Sequence, residues 1–366
     1  MSRSLARVEK IIDIVPIEKY DRVEYATVLG WHVIVQKDQF KPGDLCVYVE
    51  IDSVMPASNP EFQFLSKKAY RIKTQKMCGV LSQGICFSTS ILDSTNLKGK
   101  KLTEGMDVTE ALGIVQYEAT RDKDPETREE PKKGLAKYMM RFKWYRKLSV
   151  KKTRNSSAFP SFISKTDETR IQNAPFYLKM DNKYVVTEKV DGQSGTFYLK
   201  RHSRKLPFLK DKYEYGVCSR NMRLMYKDNT SYWQVSDRYK IENVLRNMIG
   251  DREWIAIQGE CIGPSVQGNK YKVTECDLYV FNVIYPTGRL GSIVAKNMME
   301  QHGLKFVPII SESIFLKGKS VDKVLAMAHG TSELYNTLRE GLVFRTKDGK
   351  QSFKAVDPLF LLKHSE

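Results

Sequence analysis

A lysine set between two strand-forming runs constrains this chain more than any other feature. Tyr184-Val185-Val186 is a β-branched and aromatic run, which predicts a strand ending at Lys189. Asp191-Gly192 then gives a tight-turn signal, and Thr196-Phe197-Tyr198-Leu199 predicts the return strand of a hairpin. Lys189 stands at the lip of that hairpin, with the Asp191 carboxylate two residues further on. A lysine fixed by sheet on both sides can serve as a covalent nucleophile. An ordinary surface hairpin with a solvated lysine gives the same letters, so the rest of the chain has to decide.

At 366 residues the chain can bury a large core, and two domains are expected. It carries 60 Lys+Arg against 43 Asp+Glu, a formal net charge of +17. A field of that sign attracts polyanions, nucleic acid first and an acidic membrane surface second. Apolar runs are short and broken by charge, so no membrane span is expected. The N-terminus lacks the continuous apolar segment of a secretion signal, and Glu9 and Asp13 argue against a transit peptide. The six cysteines show no Cys-x-x-Cys pair and no His at zinc spacing. They read as reduced, mostly buried thiols of an intracellular, cytoplasmic protein, expected to be a monomer.

From Leu5 to about Leu92 the pattern is strand after strand, within a domain expected to span residues 1–117. Val28–Val35 and Leu45–Ile51 are rich in β-branched and aromatic residues, with a Lys41-Pro42-Gly43-Asp44 turn between them. Val80–Phe87 predicts another strand, interrupted at Gly84 by a bulge. Tyr70–Lys76 alternates basic with other side chains, as a nucleic-acid-facing strand does. The expectation is an all-β, OB-like barrel that binds nucleic acid. Residues 118–154 are expected to form a mobile linker, acidic and proline-bearing first, then basic with Tyr138, Phe142, Trp144 and Tyr145 interleaved. Residues 155–366 read as an α+β domain with antiparallel sheets. Its best helix spans Asp237–Ile249, capped by Ser236 or Asp237 and followed by Gly250.

Three clusters follow Lys189. Ile255–Glu260 is an apolar strand ending in a carboxylate, Glu340 opens the strand Gly341–Arg345, and Ser352-Phe353-Lys354 lies in an extended run. Leu278–Val283 predicts a buried strand between the first two. Each alone reads as an ordinary strand end. Together they supply a nucleophilic lysine, the carboxylates of Asp191, Glu260 and Glu340, a second amine at Lys354 and an aromatic wall. That inventory suits nucleotidyl transfer. Lys189 must be neutral to attack phosphorus, whereas free lysine titrates near about 10.4. A neighbouring cation such as Lys354, or a divalent metal, would depress that value. Asp191, Glu260 and Glu340 are the candidate metal ligands, directly or through the waters that Mg²⁺ keeps. No Gly-rich loop ending in Gly-Lys-Ser/Thr is present, which argues against a P-loop NTPase.

In this order the clusters resemble the motifs of the covalent nucleotidyltransferase superfamily of polynucleotide ligases and mRNA-capping enzymes, and in particular ATP-dependent RNA ligases of the Deinococcus and Naegleria type. The resemblance implies an adenylyltransferase domain in which Lys189, flanked by Glu188 and Val190, carries AMP. It implies that Asp191 holds metal-bound water and that Arg220, in Ser219-Arg220-Asn221, contacts the ribose or the end to be sealed. Glu260 would bind the ribose hydroxyls, Phe281 would stack on adenine, Glu340 would serve the metal and Lys354 the α-phosphate. The upstream stretch Thr166–Asn173 resembles the same family, with Arg170 a phosphate contact, and Gly43–Ser53 resembles its N-terminal OB module. Ser352 departs from the Lys-x-Lys that many ligases carry there, and Lys350 or Lys363 are the substitutes the sequence offers.

The activity implied is RNA repair by sealing of 3′-OH and 5′-phosphate ends. ATP and Mg²⁺ or Mn²⁺ would be the cofactors, and the partner would be RNA or a nicked duplex with RNA on the 3′-OH side. Only 12 residues follow Lys354, where DNA ligases and capping enzymes usually place an OB domain, which favours an RNA ligase. A capping-type guanylyltransferase and a non-catalytic RNA-binding protein with a degenerate transferase fold are the alternatives.

Overall fold

The computed structural model describes residues 4–117, 156–202, 211–224 and 230–364. The linker expected over 118–154, with its basic and aromatic residues, lies outside them. The N-terminal strands are β1 (Ala6–Ile17), β2 (Tyr20–Val28), β3 (Trp31–Gln36), β4 (Leu45–Val49) and β5 (Ile85–Ser88). They form one antiparallel sheet in the order β3-β2-β1-β4-β5. Alternation along the strands turns Val8, Ile11, Val28, Val33 and Val47 inward around Trp31. Side chains help close the curl: Ile34 N donates to Ser82 Oγ at 3.0 Å, and Tyr25 OH donates to Leu81 O at 2.7 Å. The expected OB-like barrel is present in this curled form.

Three local expectations need correction here. The run Val28–Val35 is two strands, because Leu29 adopts φ 54 and Gly30 turns against the C-terminal part of the chain. A Cβ on Gly30 would stand 2.8 Å from Gln172 Cα, so only glycine permits that approach. Val80–Phe87 likewise breaks in two at Gly84, whose φ is +104. Within Tyr70–Lys76 the strand starts only at Thr74, because Ala69 and Tyr70 both have positive φ.

The C-terminal strands are β6 (Lys183–Lys189), β7 (Gln193–His202), β8 (Lys212–Cys218), β9 (Met222–Leu224), β10 (Trp254–Ile262), β11 (Asp277–Tyr285), β12 (Ile309–Phe315), β13 (Gly341–Thr346) and β14 (Ser352–Val356). They divide between two sheets. The larger runs β9-β8-β7-β10-β11 through its centre, and the smaller is β12-β6-β13-β14. Helices α1 (Ser231–Arg238), α2 (Ile241–Ile249) and α3 (Ser292–Gln301) cover the larger sheet, and α4 (Val321–Ala328) covers the smaller.

The predicted hairpin does not form. β6 pairs with β12 and β13, whereas β7 pairs with β8 and β10. Val190–Gly192 therefore carries the chain from one sheet to the other. An Asp-Gly pair signals a change of direction but says nothing about which strands take the free edges. The helix expected over 237–249 is also broken, at Lys240, where φ is 48. The apolar face of α2 is as expected, with Ile241, Val244, Leu245, Met248 and Ile249 all buried. The caps expected from Ser236 or Asp237 are not used; Lys240 is the N-cap, and the Ser236 hydroxyl bonds Tyr215 OH at 2.7 Å.

The two halves meet along residues 170–173. Trp31 Nε1 donates to Asn173 Oδ1 at 2.6 Å, Asn173 Nδ2 to Glu50 Oε2 at 3.0 Å, and Arg170 Nη2 to Asp52 Oδ2 at 3.2 Å. The last helix, α5 (Pro358–His364), adds a second tie: Leu361 packs on the N-terminal core while Lys270 Nζ sits 4.9 Å from the Phe360 ring.

Candidate active site

The crossing from β6 to β7 opens a cavity of about 530 Å³ between the two C-terminal sheets. Pairing sets what faces it. Lys189, the last residue of β6, is in register with Gly341, so Glu340 stands immediately beside it. Lys189 Nζ donates to Glu340 Oε2 at 2.6 Å. Glu260 comes in from β10 opposite Ser194, and Lys354 from β14 opposite Val343. Asp191 lies on the crossing itself; its N–H donates to Tyr271 OH at 2.8 Å and its Oδ2 accepts from Lys270 Nζ at 2.6 Å. A Cβ on Gly192 would fall 2.5 Å from Cys261 O, so glycine lets the crossing lie flat against β10.

The Lys189 side chain is 26 % exposed, facing the cavity and not bulk solvent. Burial pulls its pKa down, but Glu340, Glu260 and Asp191 outweigh burial and raise it above the usual lysine value. Lys189 is thus held as an ammonium, and Lys354 does not make it neutral. Burial pushes Glu260 up to about 8, opposed by Lys189 and reinforced by Glu340 and Asp191. Glu340 is raised too, by burial first. Lys354 Nζ donates to Asp167 Oδ1 at 2.9 Å, and burial lowers its pKa to about 8 against the pull of Asp167.

Of the other residues singled out in the sequence, Arg220 and Phe281 line the cavity. Arg220 is half-exposed and lies 3.6 Å from Asp167 Oδ2. Glu188 and Val190 border the cavity but turn their side chains away: Glu188 Oε2 accepts from Glu333 N at 2.8 Å, and Val190 is packed in the core of the larger sheet. Arg170 is not brought to the cavity. It is buried against Asp52 and Glu50, although a backbone bridge places it alongside Lys354. Lys350 sits on the β13–β14 turn, 82 % exposed and 3.8 Å from Asp348, and Lys363 is exposed on α5.

Sequence reasoning passed over Asp167, Glu168, Lys270 and Arg345. Asp167 holds Lys354. Glu168 accepts from Arg289 Nη1 at 3.0 Å and Arg345 Nη2 at 3.1 Å, and also from the Ser352 hydroxyl. Those cations keep Glu168 below its usual value in spite of burial. Asp167 and Glu168 lay inside the stretch noted for Arg170, and Arg345 closes the strand that Glu340 opens. Lys270 carried no signal, because nothing in its loop sequence points to Asp191.

An OB-fold domain profile matches residues 5–89, and an RNA ligase profile matches residues 182–356. No match was found among curated protein sequences. Among solved structures, Naegleria gruberi RNA ligase with PPi is 32 % identical, over 100 % of this chain and 99 % of that one, with a TM-score of 0.78. A mutant Naegleria gruberi RNA ligase with AMP and Mn is 31 % identical over 99 % of both chains, also at a TM-score of 0.78. The same values hold for a mutant of that ligase with ATP and Mn. Covered almost end to end by solved RNA ligases at 31–32 % identity, the chain belongs to the RNA ligase family.

Proposed function

We propose that this RNA ligase is ATP-dependent and works through a lysyl-AMP on Lys189. The observation that carries the reading is the Lys189 amine, bonded at 2.6 Å to Glu340 in a cavity that Glu260, Asp191, Lys354 and Arg220 also face. Glu340 is the nearest proton acceptor for that ammonium, and its raised pKa makes it a stronger base than a surface carboxylate. The freed Nζ attacks the α-phosphorus of ATP; an N–P bond forms, the bond to the β-phosphate oxygen breaks, and pyrophosphate leaves. Lys354 and Arg220 are placed to balance phosphate charge, and Phe281 offers an aromatic face for adenine.

A 5′-phosphate oxygen of RNA then displaces the lysine, which takes back a proton as the P–N bond breaks. Attack by a 3′-OH on that activated phosphate closes the phosphodiester and releases AMP. Nicks in duplexes with RNA on the 3′-OH side are the substrate proposed. The +17 net charge supports a polyanionic partner.

Among the described residues, no group of three or more His, Cys, Asp or Glu side chains is arranged to hold an ion by itself. The donors nevertheless fit a hard, largely hydrated ion: the carboxylates of Asp191, Glu260 and Glu340 line one cavity and offer the oxygen ligands such an ion takes. Asp191, Glu260 and Glu340 would hold Mg²⁺ or Mn²⁺ through water, and the ion would supply charge neutralisation at the α-phosphate.

Incubation with α-labelled ATP and Mn²⁺ tests the reading. Label is expected on the wild type and not on Lys189→Ala; label that survives the substitution, or that comes from GTP alone, refutes it.

A further inference from the structure

The N-terminal barrel contributes its own side chain to the wall of the cavity. Tyr117 lines it. Backbone bonds fix its position: Tyr117 N donates to Asp52 O at 2.7 Å, and the preceding Gln116 pairs with Ser53. The Arg71 guanidinium lies 3.4 Å from the centre of the Tyr117 ring. Arg71 is itself held 3.6 Å from Asp52 Oδ1, and Ile72 N donates to Ser53 O at 2.9 Å beside it. Asp52 thus anchors both members of the stack.

We infer that the Tyr117 ring, stiffened by Arg71, is a stacking platform for a nucleobase of the RNA strand next to the end being sealed. The inference rests on the ligase reading given above. A fixed ring with a cation on one face presents area to a flat base with little loss of conformational freedom. The guanidinium is engaged by Asp52 and covered by the ring, so what the cavity meets is aromatic surface and not a free cation. Phosphates have other partners close by, because Lys165 and Arg220 line the same cavity. Adenine has Phe281 on β11 in the C-terminal sheet, which leaves the barrel-side ring for the second substrate. Stacking is tolerant of sequence, as a repair ligase requires.

The test uses the full chain and two substitutions. Lysyl-AMP formation is measured first, and then sealing at increasing concentrations of a nicked duplex whose 3′-OH strand is RNA of mixed sequence. Tyr117→Ala is expected to label with ATP within about twofold of wild type, while its half-saturating duplex concentration rises at least about fivefold. Tyr117→Phe is expected to match wild type in both. The inference is overturned if Phe is as weak as Ala, since the hydroxyl and not the ring is then the contact. It is overturned equally if Ala loses labelling, which assigns the ring to the ATP step, or if Ala seals with unchanged saturation. Absence of label on the unmodified protein would instead strike the ligase reading itself.

Discussion

The Lys189 amine and the Glu340 carboxylate lie 2.6 Å apart although 151 residues separate them in the chain. The β6–β13 ladder makes the pair, by placing Lys189 opposite Gly341. Glu340 both holds the ammonium and offers a destination for its proton. Glu340→Gln keeps an acceptor of the same shape while removing charge and basicity. It is expected to slow lysyl-AMP formation by about a hundredfold or more, followed by rapid quench with labelled ATP. An undiminished rate would assign the proton to another group.

Gly192→Ala isolates the crossing between sheets. The added methyl would stand 2.5 Å from Cys261 O and 3.0 Å from Glu260 Cγ, and neither β10 nor the crossing can yield without moving a site residue. A stability loss of roughly 1–3 kcal/mol is expected. Lysyl-AMP formation should fall at temperatures where circular dichroism shows the chain still folded. Equal loss of both signals would mean that the glycine serves folding alone.

That glycine also shows how far the sequence could be read. Lys189, Glu260 and Glu340 were legible because each stands at or near the end of a strand, and a strand of β-branched and aromatic residues marks its own limits; Lys354 was legible only as part of an extended run. Which strands pair was not legible. Asp191-Gly192 looked like a hairpin turn, and the two edges of β6 were claimed by β12 and β13, from more than a hundred residues downstream. The breaks at Leu29 and Lys240 were missed for a related reason: a non-glycine residue at positive φ carries no composition signal. The same holds for Arg170. The family resemblance implied a phosphate contact, but its burial against Asp52 is a tertiary fact.

The raised pKa of Glu260, about 8, carries a sign that metal can test. Between the ordinary carboxylate value and about 8 the folded chain retains a proton the unfolded chain has lost. Stability contributed by this group therefore falls as pH rises through that window. A divalent ion competes with that proton, so its affinity should rise with pH, by at most about tenfold per unit for one proton. Mn²⁺ is expected to raise the melting temperature more at pH 8 than at pH 6, with proton release detectable in weakly buffered solution. Glu260→Gln should flatten the pH dependence; a persisting slope would locate the proton elsewhere.

Ser352 departs from the Lys-x-Lys that the family resemblance implies, and its surroundings explain how a serine is accommodated. Arg289 Nη2 lies 2.9 Å from the Ser352 hydroxyl, and Arg289 and Arg345 share the Glu168 carboxylate. Two cations already converge on one half-buried acid, so a lysine here would add a third without a partner. Ser352→Lys is therefore expected to lose stability, by roughly 1–3 kcal/mol in urea denaturation, and to gain no ligase activity. Arg345, buried and bonded to the Phe281 carbonyl at 3.0 Å, is a further cation on the cavity wall. Arg345→Met should depress lysyl-AMP formation strongly, whereas Lys350→Met, on an exposed turn, should leave it unchanged. Restoration of activity by Ser352→Lys in the Arg345→Met background would show that the two positions serve one phosphate. Failure of that rescue, with Arg345→Met still folded, would confine Arg345 to holding Glu168 and the Phe281 strand in place.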